Sequence, residues 1–124
     1  MAKKEEIRDY QARDLEWIIP IAAKYGEADE IEVVLTYPEL YRVKWAKVIE
    51  PYALLAFFED IHGPMVGGLT DRGGIKHLFT LCRKMADSVK GMSLHAHIEK
   101  GSWQDKLYRR FDYIKEGQDG LLWR

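Results

Sequence analysis

His95 and His97 are the first candidates for chemistry, because the alternating stretch 92–98 carries both imidazoles to one face of a strand. A His-x-His pair can bind zinc, with His62 or His77 as a third ligand. No cysteine or carboxylate stands at metal spacing, however, and hydrogen-bonded, partly buried histidines are the commoner occupants of such a face, so no metal site is assigned. Glu59, Asp60 and His62 share an expected turn and could accept a proton or draw a water, although turn residues are mostly just solvated. His77, one turn into the longest helical pattern, could touch a phosphate or simply lie at the surface. Lys106, Arg109 and Arg110 form a local basic patch that reads as a solvated helix face. Trp17, Trp45, Trp103 and Trp123 lack an accompanying basic stripe. They read as core and interface filler rather than as a platform for stacking bases.

Composition bounds what these residues can serve. A chain of 124 residues, 47% of them hydrophobic, can close one sizeable core and hardly two. Nineteen basic against twenty acidic residues leave no overall field to recruit nucleic acid or an anionic membrane. The single cysteine, Cys82, has no internal partner and suits a reducing compartment. Residues 1–6 lack the apolar run of a signal peptide, and the longest apolar run, 52–58, is far short of the roughly 20 residues that span a bilayer. The expectation is one soluble, cytoplasmic domain over residues 1–124, with neither nucleic acid nor membrane as partner.

Residues 7–11 alternate as a short first strand. From Asp14, a candidate N-cap, Leu15, Ile18, Ile19 and Ala22 recur at helical spacing, with a kink or break expected at Pro20 and a stop at Gly26. Residues 27–35 fit a strand (Ile31, Val33, Leu35) and a helix (Ile31, Val34, Leu35) equally. Pro38 and Glu39 look like a helix start, and Leu40, Tyr41, Lys44, Trp45 and Val48 continue it as a stripe ending before Pro51. The continuous apolar run 52–58 predicts a buried central strand, paired across a turn with 65–69. Gly73 and Gly74 then open the longest helix, whose buried stripe is Ile75, Leu78, Phe79, Cys82, Met85, Ala86 and Val89. Gly91 ends it. A strand over 92–98, a helix capped by Ser102 and holding Trp103, Leu107 and Tyr108, and one or two strands within 114–123 complete the chain. The fold class expected is α+β: a mixed, mostly antiparallel central sheet flanked by helices, with one helical crossover.

The stretch from Leu94 through Leu107-Tyr108 to Phe111-Asp112-Tyr113-Ile114 resembles the C-terminal half of the GNAT acyltransferase superfamily, and the order of elements over 6–117 is similar to divergent GNAT-like proteins of tailed bacteriophages. That resemblance implies an α/β/α GNAT-like fold and transfer of an acetyl group from acetyl-CoA to a small-molecule or protein amine. It implies that Tyr108 is the acid or hydrogen-bond donor for the departing thiolate. It places the coenzyme's pyrophosphate on the main chain at Arg72, Gly73, Gly74, Ile75 and Lys76, where glycines remove obstructing side chains and the two cations add charge. Two glycines before a helix are also an ordinary loop, and a tyrosine late in an amphipathic helix is commonly packing with a wet hydroxyl.

The family has one more strand leading into that loop than this pattern offers. Either 65–70 plays its part and an earlier strand is lost, or the coenzyme groove is incomplete. The second option makes this an inactive fold serving in a virion or in host interaction. Trp123 near the C-terminus allows a homodimer without demanding one.

Overall fold

The computed structural model describes residues 6–60, 63–86, 95–97, 101, 106, 109, 115–116 and 121–123. The chain begins with β1 (Arg8–Asp9), followed by a 3-10 turn (Ala12–Asp14) and two helices, α1 (Leu15–Lys24) and α2 (Ala28–Thr36). An antiparallel run follows: β2 (Trp45–Ile49), β3 (Ala53–Asp60) and β4 (Gly63–Thr70). A second 3-10 turn (Arg72–Gly74) opens α3 (Ile75–Met85), and β5 (His95–His97), β6 (Lys115–Glu116) and β7 (Leu121–Trp123) complete the described elements. The strand order is β1-β2-β3-β4-β5-β7-β6. Neighbours are antiparallel except β4 and β5, which pair in parallel at Met65 and His95, with α3 lying between them in sequence. The fold is therefore α+β, built on an antiparallel β1–β4 sheet.

β3 explains why the apolar run is continuous. Ala53, Leu55 and Phe57 join Ile49, Val66, Leu78, Leu81 and Cys82 in a core beneath α3. Leu54 faces the other way and packs with Ile18, Ile21, Ala22, Leu35, Val48 and Leu69 beneath α1 and α2. A strand covered on both faces needs apolar residues at every position, not at alternate ones. Each large side chain buried in this way contributes about 1.5–3 kcal/mol.

Two expectations change and one left open is resolved. The helix expected over the stripe Leu40, Tyr41, Lys44, Trp45 and Val48 is replaced by a turn and β2. Arg42 takes a left-handed φ of 48°, which ends any helical run, and Lys44 N–H donates to the Phe57 carbonyl at 2.8 Å, so the chain is already laddered to β3. Residues 45–49 thus add a strand that the sequence pattern did not offer, and residues 65–70 belong to the strand that runs straight into the glycine turn. α1 passes through Pro20 as one helix; the ring is exposed, on the side where water can reach the Glu16 carbonyl that loses its helical donor. The ambiguous segment 27–35 is helical, with Asp29 and Glu30 in the first turn where the helix dipole favours acids.

Candidate functional site

β4 ends at Thr70, and within four residues the chain has turned and begun α3. The turn is closed by the Gly74 N–H, which donates to the Asp71 carbonyl at 2.8 Å. The two glycines play different parts. A methyl group added to Gly74 would collide with the Thr70 hydroxyl and stand 2.9 Å from the Tyr52 carbonyl oxygen and 3.3 Å from Tyr52 Cβ. Gly74 is therefore a packing glycine, letting the turn lie against the β2–β3 connection. Gly73 is exposed, and a methyl group there would meet nothing within 4 Å. Its face is the open side of the turn.

Thr70 is buried, and its Oγ1 lies 2.7 Å from the Tyr52 carbonyl and 3.0 Å from the Asp71 carbonyl, sharing one proton between them. The Tyr52 ring stacks on His77, centroids 4.3 Å apart and planes 20° from parallel. His77 is buried, not superficial: the β2–β3 connection crosses over the first turn of α3 and covers it. On the α1 side, Lys24 Nζ reaches Asp71 Oδ2 at 2.6 Å, and this hydrogen bond holds the Lys24 ammonium above its usual range. The pairing offsets the negative charge that Asp71 would otherwise place beside the turn.

A helix start leaves its first N–H groups without partners inside the helix, and the dipole adds partial positive charge there. Here that end carries Gly73 on its open face and the exposed Lys76 in the first turn. Arg72 is described through its backbone, and Ile75 is half-buried. Residues 72–76 thus share one turn at the C-terminal end of β4, open on the Gly73 side.

The other sequence candidates fall elsewhere. Tyr108, His62 and Arg110 lie outside the described residues; Lys106 and Arg109 on either side of Tyr108 are helical. His95 and His97 are backbone positions of β5, and Asp60 of β3. Glu59 ends up paired with Arg42 at 3.4 Å. Cys82 is on the buried face of α3, and that burial pushes its thiol up to about 12, which makes it inert. Among the described residues, no helix is long and apolar enough to cross a membrane.

One ionic cluster carried no sequence signal beyond a candidate cap. The Asp14 carboxylate is fully buried and accepts from Arg8 Nη1 at 2.9 Å, Arg8 Nη2 at 2.6 Å, the Gln11 N–H at 2.8 Å and Trp17 Nε1 at 2.8 Å. Burial alone would raise its pKa, but the bonds from Arg8, Gln11 and Trp17 outweigh burial and lower it to about 2. Arg8 also pairs with Glu50, which Arg13 reaches at 3.1 Å. With four donors already engaged, this carboxylate ties β1, α1 and the end of β2 together and has little capacity left for a ligand.

Compared with known protein families, with curated proteins and with solved structures, the chain matches none.

Proposed function

We propose that this protein is a GNAT-like N-acyltransferase that moves an acetyl group from acetyl-CoA to an amine. The observation that carries the reading is the course of β4. It pairs with β3 along its whole length, Gly63–Thr70, pairs in parallel with β5 at Met65, and enters a glycine turn that opens α3. A strand end of this kind offers main-chain groups to an extended arm, and the turn offers N–H groups to the anion at the arm's end. The strand order, with one helical crossover between parallel neighbours, supports the same reading.

In this proposal the turn 72–76 holds the pyrophosphate. Gly73 gives close approach, Lys76 and Arg72 give charge, Ile75 continues the helix start, and Gly74 gives the packing that fixes it. Bound acetyl-CoA supplies the thioester. The acceptor nitrogen bonds to the acetyl carbon as the carbon–sulfur bond breaks; the amine releases a proton to solvent, the sulfur takes one from the Tyr108 phenol, and the phenolate regains its proton from solvent. Positioning amine and thioester in line supplies most of the rate in such a scheme.

The test is a titration with acetyl-CoA by calorimetry and thermal shift. At one hundred times the dissociation constant, binding stabilises the native state by about 2.7 kcal/mol, a rise in Tm on the order of 10 °C for a chain of this size. Gly73→Glu, which puts bulk and negative charge on the open face, should abolish that shift while leaving the fold intact. No shift for the wild-type protein at millimolar ligand would overturn the proposal. The second reading, a non-catalytic fold kept for interaction with a virion or host component, is favoured by one observation: the Gly74 N–H is already spent on Asp71, so the cradle has one amide fewer. It predicts no response to the coenzyme.

A further inference from the structure

We infer that Thr70 is a positioning residue for the coenzyme's pyrophosphate, acting through the turn and not by contact; this rests on the acyltransferase reading. Its hydroxyl sits between two carbonyls, those of Tyr52 at 2.7 Å and Asp71 at 3.0 Å. The Asp71 carbonyl is the same one that accepts the Gly74 N–H and so closes the turn. One buried hydroxyl therefore fixes both the acceptor that sets the pitch of the turn and the connection against which Gly74 packs. Tyr52 is joined to the first turn of α3 a second time, through its ring on His77, and Lys24 holds Asp71 from the α1 side.

The turn is gripped by its neighbours on the faces of Thr70, Tyr52 and Lys24 and left open at Gly73. A hydroxyl is not needed to fill the space, because valine has nearly the same volume. Its polar contribution is to orient two carbonyls that would otherwise relax independently. A cradle of N–H groups discriminates by direction as well as charge, so its donors must be aimed before the anion arrives.

The experiment compares coenzyme A with pantetheine, which lacks the pyrophosphate, as calorimetric probes of wild type, Thr70→Val and Thr70→Ser. Thr70→Val should bind coenzyme A about tenfold more weakly, pantetheine within about twofold of wild type, and Thr70→Ser should restore both. Equal loss for both probes would mean general damage and overturn the inference. So would unchanged affinity for coenzyme A in Thr70→Val, with the acyltransferase reading left standing. Failure of the wild type to bind coenzyme A would remove that reading and this inference with it. Should Thr70→Val not fold, amide exchange on the wild-type protein decides. The Gly74 amide should be protected before any ligand is added, and coenzyme A should newly slow the Gly73 amide. A Gly74 amide that exchanges freely in the unliganded protein would show that the turn is not set in advance.

Discussion

Alanine at Gly74 and alanine at Gly73 should have opposite effects, although the residues are adjacent and open the same helix. At Gly74 the backbone is not the obstacle, since φ is −105° and any residue adopts it. The obstacle is space: the new methyl would press on the Thr70 hydroxyl and on the Tyr52 carbonyl 2.9 Å away, and a carbonyl in a tight connection has little room to yield. Overpacking of this kind costs about 1–3 kcal/mol, and displacing the Thr70 proton from its two acceptors adds about 1 kcal/mol. Alanine's smaller unfolded-state entropy returns roughly 0.4–1 kcal/mol, leaving a net loss of about 2 kcal/mol. At Gly73 the methyl meets nothing and only the backbone advantage remains, so Gly73→Ala should be neutral or stabilising by about 0.4–1 kcal/mol.

Urea unfolding followed by tryptophan fluorescence measures both. With a slope near 1.5 kcal/mol/M, Gly74→Ala should lower the midpoint by about 1.3 M, while Gly73→Ala should hold it or raise it slightly. Equal midpoints for the two variants would refute the assignment of a packing role to one glycine and an open face to the other. The same geometry makes Gly73, and not Gly74, the position at which to probe coenzyme binding: a side chain at Gly74 would fail for steric reasons whether or not an anion binds there.

Two further outcomes test other parts of the molecule. The Asp14 carboxyl lies at about 2 in the folded protein against 3.8 for a free aspartate, so its bonds stabilise the fold above about pH 4, and that stability is lost as pH falls toward and through 2. The difference is worth about 2 kcal/mol, and Asp14→Asn should cost at least that at pH 7 while showing a flatter loss between pH 4 and 2; parallel acid titrations of the two proteins would reject the assignment. If Tyr108 gives up a proton only as the thiolate departs, Tyr108→Phe should lower turnover far more than it weakens coenzyme binding, and a variant as active as the wild type would exclude the phenol as the acid.

What the sequence revealed follows from which forces act locally. The apolar run of β3 is legible because a strand buried on both faces has no polar alternation to confuse it, whereas the α3 stripe is legible only in part: Leu78 and Cys82 are buried, Ile75, Phe79, Met85 and Ala86 are half-buried, Val89 lies outside the described residues, and the buried Leu81 and His77 fall outside the stripe. The stripe Leu40, Tyr41, Lys44, Trp45, Val48 misled for an equally physical reason. Trp45 and Ile49 point to the α3 core while Ala46 and Val48 point to the α1 and α2 core, so both faces of a short strand are used, and a 3.5-residue spacing can be drawn through them by coincidence. What makes 45–49 a strand is its ladder to β3 and β1, which no window of local residues contains. The burial of His77 is not legible in the sequence, because its neighbours there say nothing of Tyr52, brought over it by the β2–β3 connection.

That connection also bears on why the glycine turn can be specific. A loop of two glycines is by itself the most mobile entrance a helix can have, and an anion binding to it would have to order it first. Here the ordering is done by groups distant in sequence: Tyr52 from the β2–β3 connection, Thr70 from the end of β4 and Lys24 from the end of α1. Each is fixed by an element that the two cores already hold in place. The strand at 45–49 is therefore more than a correction to the strand count. Without it the connection bearing Tyr52 would not lie over the start of α3, Gly74 would have nothing to pack against, and the open face of Gly73 would be presented by a loop with no preferred direction.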